Sequence, residues 1–256
     1  MPYCPKCGNE ITEEMTFCTN CGASLKEGFK APGSERYVSE AGATQHLSLA
    51  FNLAMAKPMI FAPAIIAAII SFIISRASNA LLGPIQWSLW EGNPFAMPVD
   101  MGLLLSASIL GIIGGIIGWI LNFASIDMSR DAYVDEPLNL MNSVNYVLGR
   151  IVTFILASIL GALMSITIIL IPVVIFMFVI IVVDETGIQN AVSRAFSVIG
   201  RDLGDVIVVI IVAIVGSIIL GLIPFIGDLL TKLFMVVIGL AFMDIYYRYR
   251  QTRHGT

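Results

Sequence analysis

The chain has 256 residues and a net charge of -4, with 57% hydrophobic and only 12% charged residues, whereas an average soluble domain carries about 25% charged residues. So little charge excludes an ordinary soluble globule. The negative balance gives no overall basic field for nucleic acid.

The chain opens with Cys4-Pro5-Lys6-Cys7-Gly8 and, ten residues after Cys7, Cys18-Thr19-Asn20-Cys21-Gly22. Two Cys-x-x-Cys-Gly knuckles at this spacing point to a tetrahedral zinc site with Cys4, Cys7, Cys18 and Cys21 as ligands. The glycine after each pair permits a turn that aims backbone amides at sulfur. Four thiolates leave no open coordination position, so a single Zn²⁺ here is structural. Two disulfides are the competing reading, which a cytosolic N-terminus disfavours. A segment of residues 1–25 cannot own a core, and the metal must supply its folding energy. This segment resembles the short zinc-ribbon module at the N-termini of many prokaryotic and archaeal proteins. The resemblance implies an interaction module; Glu10, Glu13 and Glu14 speak against nucleic acid as the partner.

Residues 26–44 carry Gly28, Pro32, Gly33, Ser34, Glu35 and Glu40 with few large apolar groups, and read as a flexible linker. Thr44 is the expected cap of a helix over 45–56. Six membrane spans follow, so the fold class is an all-α polytopic membrane protein over 45–250 with interfacial amphipathic helices, a zinc ribbon before it and a tail of 251–256. The first span is 59–75 and the second 101–126. The third and fourth share the 33 uncharged residues of 151–183, which would reach about 50 Å as one straight helix against a hydrocarbon core of about 30 Å. Pro172 is the turning point of that hairpin. The fifth span covers about 206–222 and the sixth about 229–246, after a turn at Pro224-Phe225-Ile226-Gly227.

No secretory leader pattern precedes the spans, and the first span serves as an uncleaved insertion signal. With the N-terminus cytosolic, Lys26, Lys30, Arg36, Lys57, Arg130, Arg150, Arg194, Arg201, Arg248, Arg250 and Arg253 fall inside, and only Arg76 and Lys232 fall outside. That asymmetry predicts a multi-pass protein of the cell membrane with both termini in the cytosol. The outer loop 77–100 holds Trp87, Trp90 and Phe95, suited to the interfacial belt.

An internal repeat runs through the second half. Asp135-Glu136 leads through an amphipathic run to Gly149-Arg150, and Asp184-Glu185 leads through another to Gly200-Arg201, 51 residues later. In the second run Ile188, Ala191, Val192, Ala195, Phe196 and Ile199 make one helical stripe. Such helices lie flat on the cytosolic surface before each span. The 45–56 segment reads as a degenerate third copy, which suggests three helix-plus-hairpin units. The run Val183-Asp184-Glu185, a short turn, then Ala191-Val192-Ser193-Arg194-Ala195 resembles the membrane domain associated with glycerophosphoryl diester phosphodiesterases, and also several uncharacterised multi-pass families of prokaryotes and archaea. In this chain Ala195 stands where that pattern has serine, and a single basic residue replaces a pair. The catalytic barrel of the named family has no counterpart, so no phosphodiesterase residue carries over.

Asp135, Glu136, Asp184 and Glu185 are the obvious carboxylates. They read as helix N-caps, with a cytosolic cation or head-group site as the alternative. Asp127 with Arg130, and Asp228 with Lys232, have the spacing of helix ion pairs. No charged residue is placed in the depth of the spans, where an ion path would need one. Gly111, Gly114, Gly115 and Gly118, continued by Ala157, Gly161 and Ser165, allow close helix approach within the chain or between chains. His46 and His254 are the only histidines; both lie outside the spans, and His46 reads as solvated. No catalytic constellation appears. The expected role is non-enzymatic: a scaffold or regulator in the bilayer that recruits a protein partner through the ribbon. A transporter or lipid-handling protein is the first alternative and a membrane enzyme the second.

Overall fold

The structure, a computed structural model, describes residues 42–90, 101–224 and 226–254, with side chains over 42–82, 101–224 and 226–252. Cys4, Cys7, Cys18 and Cys21, the linker up to residue 41, and the side chains of Trp87, Trp90 and Phe95 lie outside the described residues. The chain divides into two units, Met1–Glu40 and Ala41–Thr256, and every described helix belongs to the second.

All regular structure among the described residues is helical: α1 (Ala43–Ala56), α2 (Ala62–Trp90), α3 (Met101–Tyr133), α4 (Leu140–Gly149), α5 (Ile151–Ser165), α6 (Ile171–Val183), α7 (Ile188–Gly221) and α8 (Gly227–His254), with 3₁₀ turns at Pro58–Phe61 and Ile168–Leu170. Four stretches are long and apolar enough to cross a bilayer: Pro58–Leu82, Met101–Tyr133, Ile188–Gly221 and Gly227–Thr252. The pair α4 and α5, bent by 77°, makes a fifth if taken as one span. The expected six are therefore not reached by length. The shortfall is in the hairpin, where α5 has 15 residues and α6 has 13, roughly 22 and 20 Å of helix against about 30 Å of hydrocarbon. Pro172 is the second residue of α6, where its missing amide hydrogen leaves no helical bond unmade. The first span also differs from expectation. Its helix continues through Arg76 to Trp90 instead of ending at Ser75.

The core is formed where α6 and the inner half of α8 meet the other helices. Phe176, Met177, Ile180 and Ile181 of α6, and Leu240, Phe242, Met243 and Tyr246 of α8, are buried. Both are apolar around most of their circumference, as suits a helix surrounded by others. The outward faces of α2, α3, α5 and α7 instead expose large apolar side chains, including Ile69, Phe72, Ile112, Ile116, Leu156, Ile159, Ile211 and Ile218. Such continuous apolar surface belongs in lipid, not in water. Helices approach closely at three glycines. A methyl group on Gly114 would collide with Ile74 of α2, one on Gly161 would come within 3.0 Å of Val174 of α6, and one on Gly216 within 2.5 Å of Phe234 of α8. At Gly111, Gly115 and Gly118 nothing lies within 4 Å, so only part of the small-residue series in α3 serves close packing inside the chain.

The three-unit pattern is visible in the backbone. Each amphipathic helix meets its hairpin at one residue outside helical geometry: Lys57 (φ -126°, ψ 67°) after α1, Arg150 (φ -119°, ψ 24°) after α4, and Asp202 (φ -116°, ψ 37°) within α7. The first two returning helices end alike. Asp135 (φ 63°) follows α3 and Glu185 (φ 49°) follows α6, both in the left-handed region that terminates helices. At the first, Glu136 N donates to Asp131 O at 2.8 Å, the long bond that closes such an ending.

Candidate functional site

These left-handed turns overturn the capping reading of the acidic pairs. Asp135 and Glu185 close the helix before them, and the caps of the next helices lie elsewhere. Asn139 caps α4, its side chain accepting from Met141 N at 2.9 Å and Asn142 N at 3.2 Å. Gly187 precedes α7 with no side-chain cap. Thr44 likewise is not a cap: Gly42 holds that position and Thr44 lies inside α1.

The freed carboxylates enter a network at one end of the bundle. Asp184, at the end of α6, accepts from Arg194 of α7 and from the Tyr246 hydroxyl of α8, and Arg250 Nη1 stands 3.3 Å from its other oxygen. Asp135 pairs with Lys57 at 2.5 Å, whose ammonium also donates to Ala132 O. Glu185 meets Arg130 at 3.3 Å. Arg130 in turn lies 3.0 Å from Asp127 and 2.9 Å from Asp131, so the expected i, i+3 pair forms. Its approach to Asp127 Oδ1 is an ion pair without a directed hydrogen bond. Arg150 donates to Ile181 O, Glu185 O and Thr186 O, satisfying carbonyls left open at the end of α6. At the opposite end of α8, Asp228 and Lys232 pair at 2.6 Å as their spacing predicts.

His46 is the largest departure from the sequence reading. It is 3% exposed, and its Nδ1 lies 2.6 Å from Oδ2 of Asp244, which is fully buried. Asp244 also accepts from Tyr133 Oη at 2.6 Å and Arg248 Nε at 3.1 Å. Asp244 thus gathers His46 of α1, Tyr133 of α3 and Arg248 of its own helix around one buried carboxyl group. The other ring nitrogen of His46 faces Asp205 at 3.8 Å, and Asp205 Oδ1 accepts from Ala43 N, the start of α1. One charged residue of α8 thus fixes α1 and α3 at once. Asp127 and Asp131 are buried in the last two turns of α3, and Asp244 is fully buried ten residues before the end of α8, inside the run 229–246 expected as the sixth span. Every one of them is engaged by a cation, by His46 or by both.

The contacts are cyclic between units. Arg194 of the third unit holds Asp184 of the second, and His46 of the first holds Asp244 of the third. Ser143, fully buried on α4 of the second, stands beside Asp127 of the first. Aromatic rings line the same end. Tyr133 stacks on Tyr247 with ring centres 4.4 Å apart, and the guanidinium groups of Arg130 and Arg150 lie 5.2 and 5.7 Å from the centre of Tyr146. Chemically this is a clamp. Its cations face carboxylates across helices, while Asp127 Oδ1, Asp184 Oδ1 and Ser143 Oγ are buried without a directed hydrogen bond, and among the described residues no group of three or more His, Cys, Asp or Glu could hold a metal ion.

A second feature is a cavity of about 630 Å³ between α2, α3, α6 and α8, lined mainly by apolar side chains with Ser71, Asn122, Ser125 and Thr231 among them.

Residues 3–25 match the zinc-ribbon domain family, a region that includes Cys4, Cys7, Cys18 and Cys21, and zinc binding in this region follows from the match. No curated protein and no solved structure matches the chain, and these comparisons give no support to the expected likeness of the 183–195 segment to the phosphodiesterase-associated membrane domain. The chain thus joins a zinc-ribbon match at its N-terminus to four helices, or five with the bent pair, that are long and apolar enough to cross a membrane.

Proposed function

We propose that the chain is a non-enzymatic scaffold of the cell membrane that presents its zinc ribbon to a protein partner in the cytosol. In this reading α2, α3, α7 and α8 cross the bilayer. The α5–α6 hairpin enters from the cytosolic side and returns to it, and both termini are cytosolic. One structural Zn²⁺ is held by Cys4, Cys7, Cys18 and Cys21. The observation that carries the reading is the clamp. Its charged groups gather on the side rich in arginine, where cations of one helix face carboxylates of another, and such a network suits a stiff base. A rigid base with a tethered metal module gains a partner by holding that module at high local concentration on a surface.

The test uses the full chain in its native membranes, with a photo-crosslinking residue at Thr12. A discrete crosslinked protein partner is expected, and it should vanish in the Cys4→Ser, Cys21→Ser double variant while the membrane content of the protein stays unchanged. Crosslinks that are diffuse, or identical with and without the metal ligands, overturn the reading.

A further inference from the structure

The cavity between α2, α3, α6 and α8 has the volume of a ligand site, about 630 Å³ against roughly 300–1,000 Å³ for small-molecule pockets. Most of its wall is apolar, with Ala64, Ile175, Val179, Met235, Phe242 and Met243 contributing. It follows α8 from Thr231 to Met243, about 18 Å of helix axis, so it is elongated along the bundle. Four polar side chains in its wall are left open, Ser71, Ser125, Thr231 and Asn122, and the last two are the most telling. The Oγ1 of Thr231 is buried and has no hydrogen-bond partner. Asn122 is exposed, and among the described residues its side-chain amide makes no hydrogen bond. Serines elsewhere in the same helix solve this problem locally: Ser106, Ser108 and Ser129 each donate to the carbonyl four residues earlier, at 2.8 Å. Thr231 has the same local solution open to it and does not use it. At membrane depth an open hydroxyl or amide is costly, which is a reason to expect a partner there.

The cavity is also electrically neutral. Its one charged side chain, Lys232, has its ammonium 2.6 Å from Asp228. Gly118 and Gly239 border the space, and a Cβ added to either meets no atom within 4 Å.

We infer that this cavity binds an uncharged amphiphile of the monoacylglycerol type: one long chain along the apolar wall, with hydroxyl and ester oxygens for the hydrogen-bonding groups of Thr231 and Asn122. The inference does not depend on what the zinc ribbon recruits. The wall supplies apolar area for the chain, the open polar groups supply a small number of orienting bonds, and the lack of a free charge selects against a carboxylate or phosphate head.

The experiment uses the full chain in nanodiscs and a monoacylglycerol carrying a diazirine in its chain. Labelling should saturate and map to peptides of α3 or α8. Unlabelled monoacylglycerol should compete at least tenfold better than the free fatty acid of the same chain. Gly118→Leu combined with Gly239→Leu fills the space and should reduce labelling at least tenfold with an unchanged unfolding midpoint. Asn122→Leu removes one hydrogen bond and should weaken binding about fivefold to tenfold. Equal or better competition by the fatty acid overturns the inference in favour of an anion held at Lys232. Labelling that does not saturate, or that persists in the filled variant, overturns it in favour of bulk lipid contact. Should the filled variant unfold early, Asn122→Leu decides: unchanged labelling overturns the inference.

Discussion

Replacing Asp244 with alanine should be among the most damaging single changes in the membrane unit. The carboxylate is fully buried and receives His46 at 2.6 Å, Tyr133 at 2.6 Å and Arg248 at 3.1 Å. Removing it leaves a buried imidazole without its partner at Nδ1 and takes the carboxylate from a guanidinium that is 18% exposed. Breaking a buried pair by deleting one partner costs about 3–5 kcal/mol. A single hydrogen bond to a charged group is worth about 1.5–3 kcal/mol. Asp244→Ala should therefore be destabilised by roughly 3–5 kcal/mol, and Tyr133→Phe, which leaves the carboxylate and two of its donors, by about 1.5–3 kcal/mol. The assay is the SDS-unfolding midpoint of purified protein in mixed micelles. A double-mutant cycle with His46→Ala should return a coupling of about 1–3 kcal/mol, as contacting residues in one network do. An Asp244→Ala protein within about 1 kcal/mol of wild type, or one more stable than Tyr133→Phe, would refute the reasoning, because the buried charge would then not be held by these partners.

Other expectations are checked more simply. Elemental analysis of protein purified without chelators should find one Zn²⁺ per chain, lost in Cys4→Ser or Cys21→Ser, with the unfolding midpoint of the membrane unit retained. Asp184→Asn should lower that midpoint by about 1.5–3 kcal/mol, since the neutral amide no longer matches Arg194, Arg250 and the Tyr246 hydroxyl; a variant as stable as wild type would return Asp184 to a capping role. Gly216→Ala places a methyl 2.5 Å from the Phe234 ring and should cost about 1–3 kcal/mol, whereas Gly111→Ala, with nothing within 4 Å, should be neutral or slightly stabilising by the same measurement.

How much of this was legible in the sequence depends on the range of the interaction. The i, i+3 pair of Asp127 with Arg130 and the i, i+4 pair of Asp228 with Lys232 depend on near neighbours and appear as read, and the apolar runs of the first, second, fifth and sixth expected spans return as helices long enough to cross a bilayer. The unit boundaries were also readable, because an amphipathic run must bend where it enters lipid, and the bends fall at Arg150 and Asp202 beside the two Gly-Arg pairs. The clamp was not readable. His46 meets Asp244 across 198 positions and Tyr133 meets it across 111, distances at which no local pattern carries information. A faint signal did exist: Asp244 is a lone carboxylate within Phe242-Met243-Asp244-Ile245-Tyr246, and an ionisable group in such a run needs a partner. The acidic pairs were misread because a carboxylate before a helix and one ending the previous helix occupy the same few residues. Only the sign of φ at Asp135 and Glu185 separates the two cases. Hairpin length was misjudged because apolar composition does not reveal that turn and 3₁₀ residues between α5 and α6 shorten both arms.

The most direct test of the central claim, a ribbon-bearing base that faces the cytosol, is labelling of single introduced cysteines with an impermeant thiol reagent in intact cells. Cysteines at Ser88, Ile169 and Gln251 sample the end of α2, the hairpin tip and the end of α8. Labelling at Ser88 alone is predicted, with Ile169 and Gln251 reacting only after the membrane is opened or dissolved. Labelling of Gln251 from outside would place the termini on the wrong face for a cytosolic partner and contradict the account, and labelling of Ile169 from outside would contradict the returning hairpin.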